Sequence, residues 1–146
     1  MSGASRSVEI DVPLESFFAV VRDYASYPQF VPELRKVAVG QKMGEVVEVT
    51  YWLDATLKVF EFTLRHEADP SKQRIDWKLV RGGEFMRRNV GHWQFERTPR
   101  GTRALYAIDI DFGPLVPANF EKQLAARGLP NMLANFKARA EALQRR

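Results

Sequence analysis

The feature that most constrains this chain is a stretch from Leu34 to Phe112 in which large apolar residues recur at every second position. Period two marks strands with one buried face, because successive side chains leave the backbone on opposite sides. Six strands can be read in it. Val37 and Val39 begin the pattern. Val47, Val49, Tyr51 and Leu53 then alternate with Glu48, Thr50, Trp52 and Asp54, and Phe60, Phe62 and Leu64 oppose Val59, Glu61 and Thr63. Ile75, Trp77 and Leu79 follow. Phe85, Arg87, Asn89, Gly91, Trp93 and Phe95 share the next parity, and Tyr106, Ile108, Ile110 and Phe112 the last. Gly44, Asp69-Pro70-Ser71-Lys72, Gly82-Gly83 and Thr98-Pro99-Arg100-Gly101 supply hairpin turns, so an antiparallel meander is expected.

The flanks complete the architecture. Val8, Ile10 and Val12 alternate with Ser7, Glu9 and Asp11, giving a first strand over Ser7 to Asp11. Pro13 and Glu15 suit the first turn of a short helix whose buried stripe is Phe17, Phe18, Val20 and Val21. Asp23 to Pro32 carries Tyr24, Tyr27 and Phe30 between two prolines, which predicts a second short helical turn packed inward. Beyond Gly113-Pro114, the residues Phe120, Leu124, Leu129, Leu133, Phe136, Ala140 and Leu143 recur at helical spacing. Gly128 and Pro130 are expected to kink or break that helix. The fold class expected is α+β: a seven-stranded curved antiparallel sheet around a long C-terminal helix, with two short helical segments after strand 1. A single domain over residues 1–146 is expected.

A cavity follows from that order. One helix is about 10–12 Å across, much narrower than seven twisted strands, so the sheet must curl and leave a gap. The chain has ten Phe and 12% aromatic residues to line it. The lining candidates are Phe30, Tyr51, Phe60, Phe62, Trp77, Phe85, Trp93, Tyr106, Ile108, Leu133 and Phe136; a solid core is the competing reading. Arg87 shares the inward parity and joins the ligand-binding set. Arg87, Asn89 and Tyr51 are the candidates for chemistry, since a guanidinium fork, an amide and a phenol can each hydrogen-bond a ligand oxygen. A bulge or a strand end that turns Arg87 and Asn89 to solvent is the alternative. His66 shares the parity of Phe62 and Leu64. Its place at an expected strand end, beside Glu67 and Asp69, points to a surface histidine paired with a carboxylate. His92, on the opposite parity to Trp93, should face outward.

Several function classes are excluded. Cysteine is absent and only two histidines are present, so no metal site or cofactor is expected. There is no Ser-His-Asp set, phosphate-binding glycine loop or dinucleotide fingerprint. The net charge is +4, but the basic residues scatter over Arg87-Arg88, the Arg97/Arg100/Arg103 group and Arg145-Arg146, so no nucleic-acid face is expected. No signal peptide or membrane span is apparent, and a cytoplasmic location is expected.

The runs Val12-Pro13-Leu14-Glu15-Ser16-Phe17-Phe18 and Asp23-Tyr24-Ala25-Ser26-Tyr27-Pro28-Gln29-Phe30-Val31-Pro32 resemble those of the polyketide cyclase/dehydrase and lipid-transport proteins. These belong to the START-like, Bet v 1-like superfamily. Gly91-His92-Trp93-Gln94-Phe95 and Leu129-Pro130-Asn131-Met132-Leu133 look similar as well, and the nearest likeness is to coenzyme-Q-binding START-domain proteins. The resemblance implies a helix-grip fold around an apolar ligand. Glu84 to Val90 departs from it, being more polar than that strand usually is. Three functions therefore stay open. The first is a carrier or chaperone for a hydrophobic small molecule such as a polyprenyl quinone, lipid or polyketide-like compound. The second is a polyketide aromatase/cyclase using the same cavity, in which Arg87 converges with a tyrosine hydroxyl. The third is an interaction protein of the ribosome-associated type. Transient membrane contact, and either a monomer or a homodimer, are compatible with all three.

Overall fold

The structure is a computed structural model, and it describes residues 2–55 and 58–145. The alternating segments form one antiparallel sheet: β1 (Ser2–Ile10), β2 (Leu34–Met43), β3 (Val46–Asp54), β4 (Val59–Asp69), β5 (Arg74–Arg81), β6 (Arg88–Thr98) and β7 (Gly101–Asp111). The spatial order is β1-β7-β6-β5-β4-β3-β2, so β2 to β7 are a meander and the first strand closes back on the last. Helix α1 (Leu14–Arg22) and a 3-10 helix (Tyr24–Gln29) connect the two edge strands β1 and β2. The C-terminal region runs as α2 (Ala118–Gln123), a π-helical turn (Leu124–Gly128) and α3 (Leu129–Gln144). The expected fold class is what the structure shows.

Four local expectations change. The first strand begins at Ser2, because Ser2 to Ser7 pair with β7 through their backbones although they carry no apolar alternation. Val39 is exposed rather than inward: β2 is an edge strand whose pairing with β3 slips between Val39 and Lys42. The sixth strand begins at Arg88, so Phe85 and Arg87 lie in the preceding loop and the parity of Trp93 does not extend to them. The C-terminal helix does not break. Pro130 lacks an N–H and its ring crowds the carbonyl four residues back, so the helix widens there and the Leu129 N–H bonds to Leu124 O.

The inner face of the sheet meets Leu129, Leu133, Phe136 and Ala140 of α3 and Leu14, Phe17, Phe18 and Val21 of α1. Aromatic rings join the layers edge to face: Phe17 on Trp93 at 5.8 Å, Phe18 on Phe95 at 5.3 Å, and Phe136 on Trp93 at 5.4 Å. Polar contacts fix the helices to the edge of the sheet. Arg97 donates to both carboxylate oxygens of Glu15, and Lys137 donates to Glu9 O at 2.8 Å.

Gly91 is packed too closely beside the cavity for any side chain. It pairs with Trp77 on β5 and Ile108 on β7. A Cβ placed there would lie 2.2 Å from Ala107 O and 2.5 Å from Cζ2 of Trp77, so the indole lies across a position with no side chain. Gly91→Ala should therefore destabilise the fold by about 1–3 kcal/mol, as overpacked cores do. Urea denaturation with unchanged m-value checks it; a variant as stable as the parent would show that the indole moves freely.

Candidate functional site

The sheet and α3 do not close on one another, and a cavity of about 560 Å³ lies between them. That volume is in the range of small-molecule sites, roughly 300–1,000 Å³. Its walls come from β3 (Tyr51, Leu53), β4 (Phe62, Leu64, His66), β5 (Ile75, Trp77), β6 (Asn89, Trp93) and β7 (Tyr106, Ile108, Ile110). The 3-10 helix adds Tyr24 and Tyr27, and α3 adds Leu129, Met132 and Phe136. The mouth lies where exposed Glu33, Gln123, Arg127 and Asn131 reach the lining, beside the π-helical turn. A shallower depression on the outer face of the sheet, around Ala4, Asp76 and His92, is lined by surface residues. His92 thus stands on the outer face.

Seven of the sequence-derived lining residues border the cavity: Tyr51, Phe62, Trp77, Trp93, Tyr106, Ile108 and Phe136. Five do not. Phe60 and Phe85 stack at 5.6 Å and, with Phe112 and Phe120, make a filled aromatic cluster at one end of the sheet. Phe30 sits behind Phe136, ring centroids 5.0 Å apart, with Arg139 over its other side. Leu133 is buried, but Leu129, Met132 and Phe136 form the row of α3 that faces the cavity and Leu133 is one position round the helix. Arg87 is exposed in the loop before β6, its side chain beside Gly113. Met86, 3% exposed, takes the inward position instead.

Asn89, by contrast, is buried at the lining. Its Oδ1 accepts from Trp77 Nε1 at 2.9 Å and its amide reaches Met86 Sδ at 3.7 Å, so it holds the indole in place. The expectation for His66 is overturned. Strand β4 continues to Asp69, so His66 is an inward residue within the strand and is buried. Tyr51 Oη and His66 Nε2 are 2.7 Å apart, and the Tyr24 ring stacks on the imidazole at 4.3 Å. The parity of Phe60, Phe62 and Leu64 carried this signal; the neighbouring Glu67 and Asp69 obscured it.

All four tyrosines of the chain border the cavity. Tyr27 donates to Val21 O, and Tyr51 is bonded to His66. The hydroxyls of Tyr24 and Tyr106 have no hydrogen-bond partner among the described residues, although both side chains are buried. Burial pushes all four phenols above their usual ionisation range, so they are neutral donors at any working pH. Neither hydroxyl oxygen is fully buried, so both remain accessible at the cavity lining, where a ligand oxygen can accept from them. No group of three or more metal-ligating side chains occurs among the described residues, and no helix among them is long and apolar enough to cross a membrane.

A curved sheet gripping one long helix over an apolar cavity defines the helix-grip class. The chain belongs to the polyketide cyclase/dehydrase and lipid transport family, whose model matches residues 10–137. No curated protein matches the sequence. Solved structures match along nearly the whole chain. A Thermus thermophilus protein has a TM-score of 0.86 at 17% identity, covering 97% of this chain and 99% of its own. An aromatase/cyclase from a Streptomyces species has a TM-score of 0.81 at 18% identity, covering 96% and 93%. A STAR-related lipid transfer protein from Xanthomonas axonopodis has a TM-score of 0.78 at 13% identity, covering 94% and 84%. At these identities the likeness is one of fold.

Burial without a charged partner pushes His66 down to about 3, from 6.5 for the free side chain. Unfolding therefore takes up a proton between those values, and the His66 contribution is complete above 6.5 and lost as pH falls towards 3. The loss should approach about 1.4 kcal/mol per pH unit in that window. The carboxylates held low by ion pairs or hydrogen bonds, and His92, add losses of the same sign, so the measurement is a difference. Denaturation midpoints of the parent and of His66→Gln, followed from pH 7 to 4.5, should converge as pH falls. Parallel curves would mean that His66 titrates normally.

Proposed function

We propose that this protein binds a hydrophobic small molecule, of polyprenyl-quinone, lipid or polyketide-like kind, and holds it as a carrier or chaperone. The observation behind this reading is the aromatic and aliphatic cavity of about 560 Å³, open at the π-helical turn. Apolar burial at roughly 25 cal/mol per Å² drives binding there, and a few polar groups orient the ligand. The lipid transfer protein among the structural neighbours supports it, as does the lipid-transport branch of the family. The cyclase alternative requires Arg87 to converge with a tyrosine hydroxyl, and Arg87 is exposed in a loop.

The test is native mass spectrometry of freshly purified protein, followed by organic extraction of whatever it carries. One molecule of an apolar compound per chain is the expected result. Protein that stays empty after incubation with quinones and fatty acids would remove the carrier reading. Met132→Trp, at the half-buried edge of the mouth, should abolish loading while leaving the thermal midpoint within about 2 °C of the parent.

A further inference from the structure

We infer that the inner pole of the cavity selects ligands whose polar end is an acceptor oxygen with no proton of its own, a ketone or quinone carbonyl. This deepens the carrier reading and rests on it.

The pole is built from Tyr24, Tyr51, Tyr106 and His66. Tyr51 and His66 are in direct hydrogen-bond contact at 2.7 Å, and Tyr24 stacks on His66. Tyr106 closes the group through Trp77, whose ring lies 5.1 Å from Tyr106 and 6.2 Å from His66. The hydroxyls are near enough that Tyr24 and Tyr106 both oppose ionisation of Tyr51. None of the four has a carboxylate or a cation as a hydrogen-bonding partner.

The direction of the Tyr51–His66 bond decides what the pole offers. A neutral imidazole carries one N–H, and His66 Nδ1 is buried with no partner. If the proton sat on Nδ1, an N–H would be buried without an acceptor, and Tyr51 would spend its own proton on Nε2. If it sits on Nε2, His66 donates to Tyr51 Oη and only a lone pair is left bare. Orphaned buried N–H groups are the rarer and costlier case. The second arrangement leaves the Tyr51 proton free. Together with the unpartnered hydroxyls of Tyr24 and Tyr106, the pole then has a surplus of donors. A carbonyl oxygen takes up two of them. An alcohol brings a further donor into the same place, and a carboxylate brings a charge whose nearby cation, Arg22 beside Tyr24, is already paired with Glu45. His66 is a positioning residue here, and Tyr51 is the group that touches the ligand.

Fluorene, fluorenone and fluorenol test this, being one aromatic frame with no oxygen, an acceptor and a donor-acceptor respectively. By calorimetry, fluorenone should bind about tenfold tighter than fluorene, and tighter than fluorenol. Tyr51→Phe should reduce fluorenone to the affinity of fluorene while fluorene binding is unchanged. His66→Gln, which keeps an N–H for Tyr51, should retain the preference. In histidine-labelled protein, nitrogen NMR should show His66 with a proton on Nε2 and none on Nδ1; the second histidine is distinguished by His92→Gln. Fluorene binding with no gain for fluorenone, or a proton on Nδ1, overturns the proposal and leaves the carrier reading standing. Failure of all three compounds to bind overturns both.

Discussion

The structure depends on a mismatch of widths. Seven strands present one continuous apolar face, and α3 with α1 can cover only part of it. The sheet curls to bring its edges closer, yet the centre stays open because rigid rings stand at the walls. Trp77 lies close over Gly91 and is tied to Asn89, and Trp93 is wedged between Phe17, Tyr106 and Phe136. Rings held by several such contacts cannot swing into the gap without losing them. The filled cluster of Phe60, Phe85, Phe112 and Phe120 closes one end, so the remaining volume is a chamber with a defined mouth.

That chamber gives buried polar groups a particular meaning. Elsewhere on the molecule, charges meet at the surface in ion pairs such as Arg103 with Glu9 and Glu96, which contribute little each. Inside, a histidine is kept neutral and phenols are kept protonated by desolvation, while two of the phenols keep hydroxyls free to donate. The cavity is therefore apolar over most of its wall and donor-rich at one pole. Such a surface suits the carrier reading proposed above, in which apolar walls bury the ligand and a few hydroxyls orient it. The π-helical turn at the mouth has a comparable logic: Pro130 removes a helix hydrogen bond where the chain borders the opening, and the widened turn absorbs the loss.

Much of this was legible in the chain. The parity of β3, β4, β5 and β7 placed Tyr51, Phe62, Trp77, Tyr106 and Ile108 correctly, because a strand with one wet face must alternate. The errors cluster where a strand ends or turns. Phe85 and Arg87 were assigned the parity of β6, which begins only at Arg88. His66 has acidic neighbours that suggest a strand end, but the strand runs three residues further. Phe30, Phe60 and Leu133 are buried or half-buried as their character demands, but burial does not distinguish a ring in a filled cluster from a ring facing a void.

By itself, the sequence determined the element order, the single buried face and the excess of aromatic surface over what one helix can cover, since each follows from local periodicity and from lengths. Only the tertiary structure decided which rings fill space and which enclose it, and that Tyr24, Tyr51, Tyr106 and His66 share one pole. Those residues come from three strands and a 3-10 helix, and their meeting depends on sheet curvature and strand register. Both depend on contacts between residues far apart in the chain, such as Gly91 against Trp77 and Ala107, that no local pattern encodes.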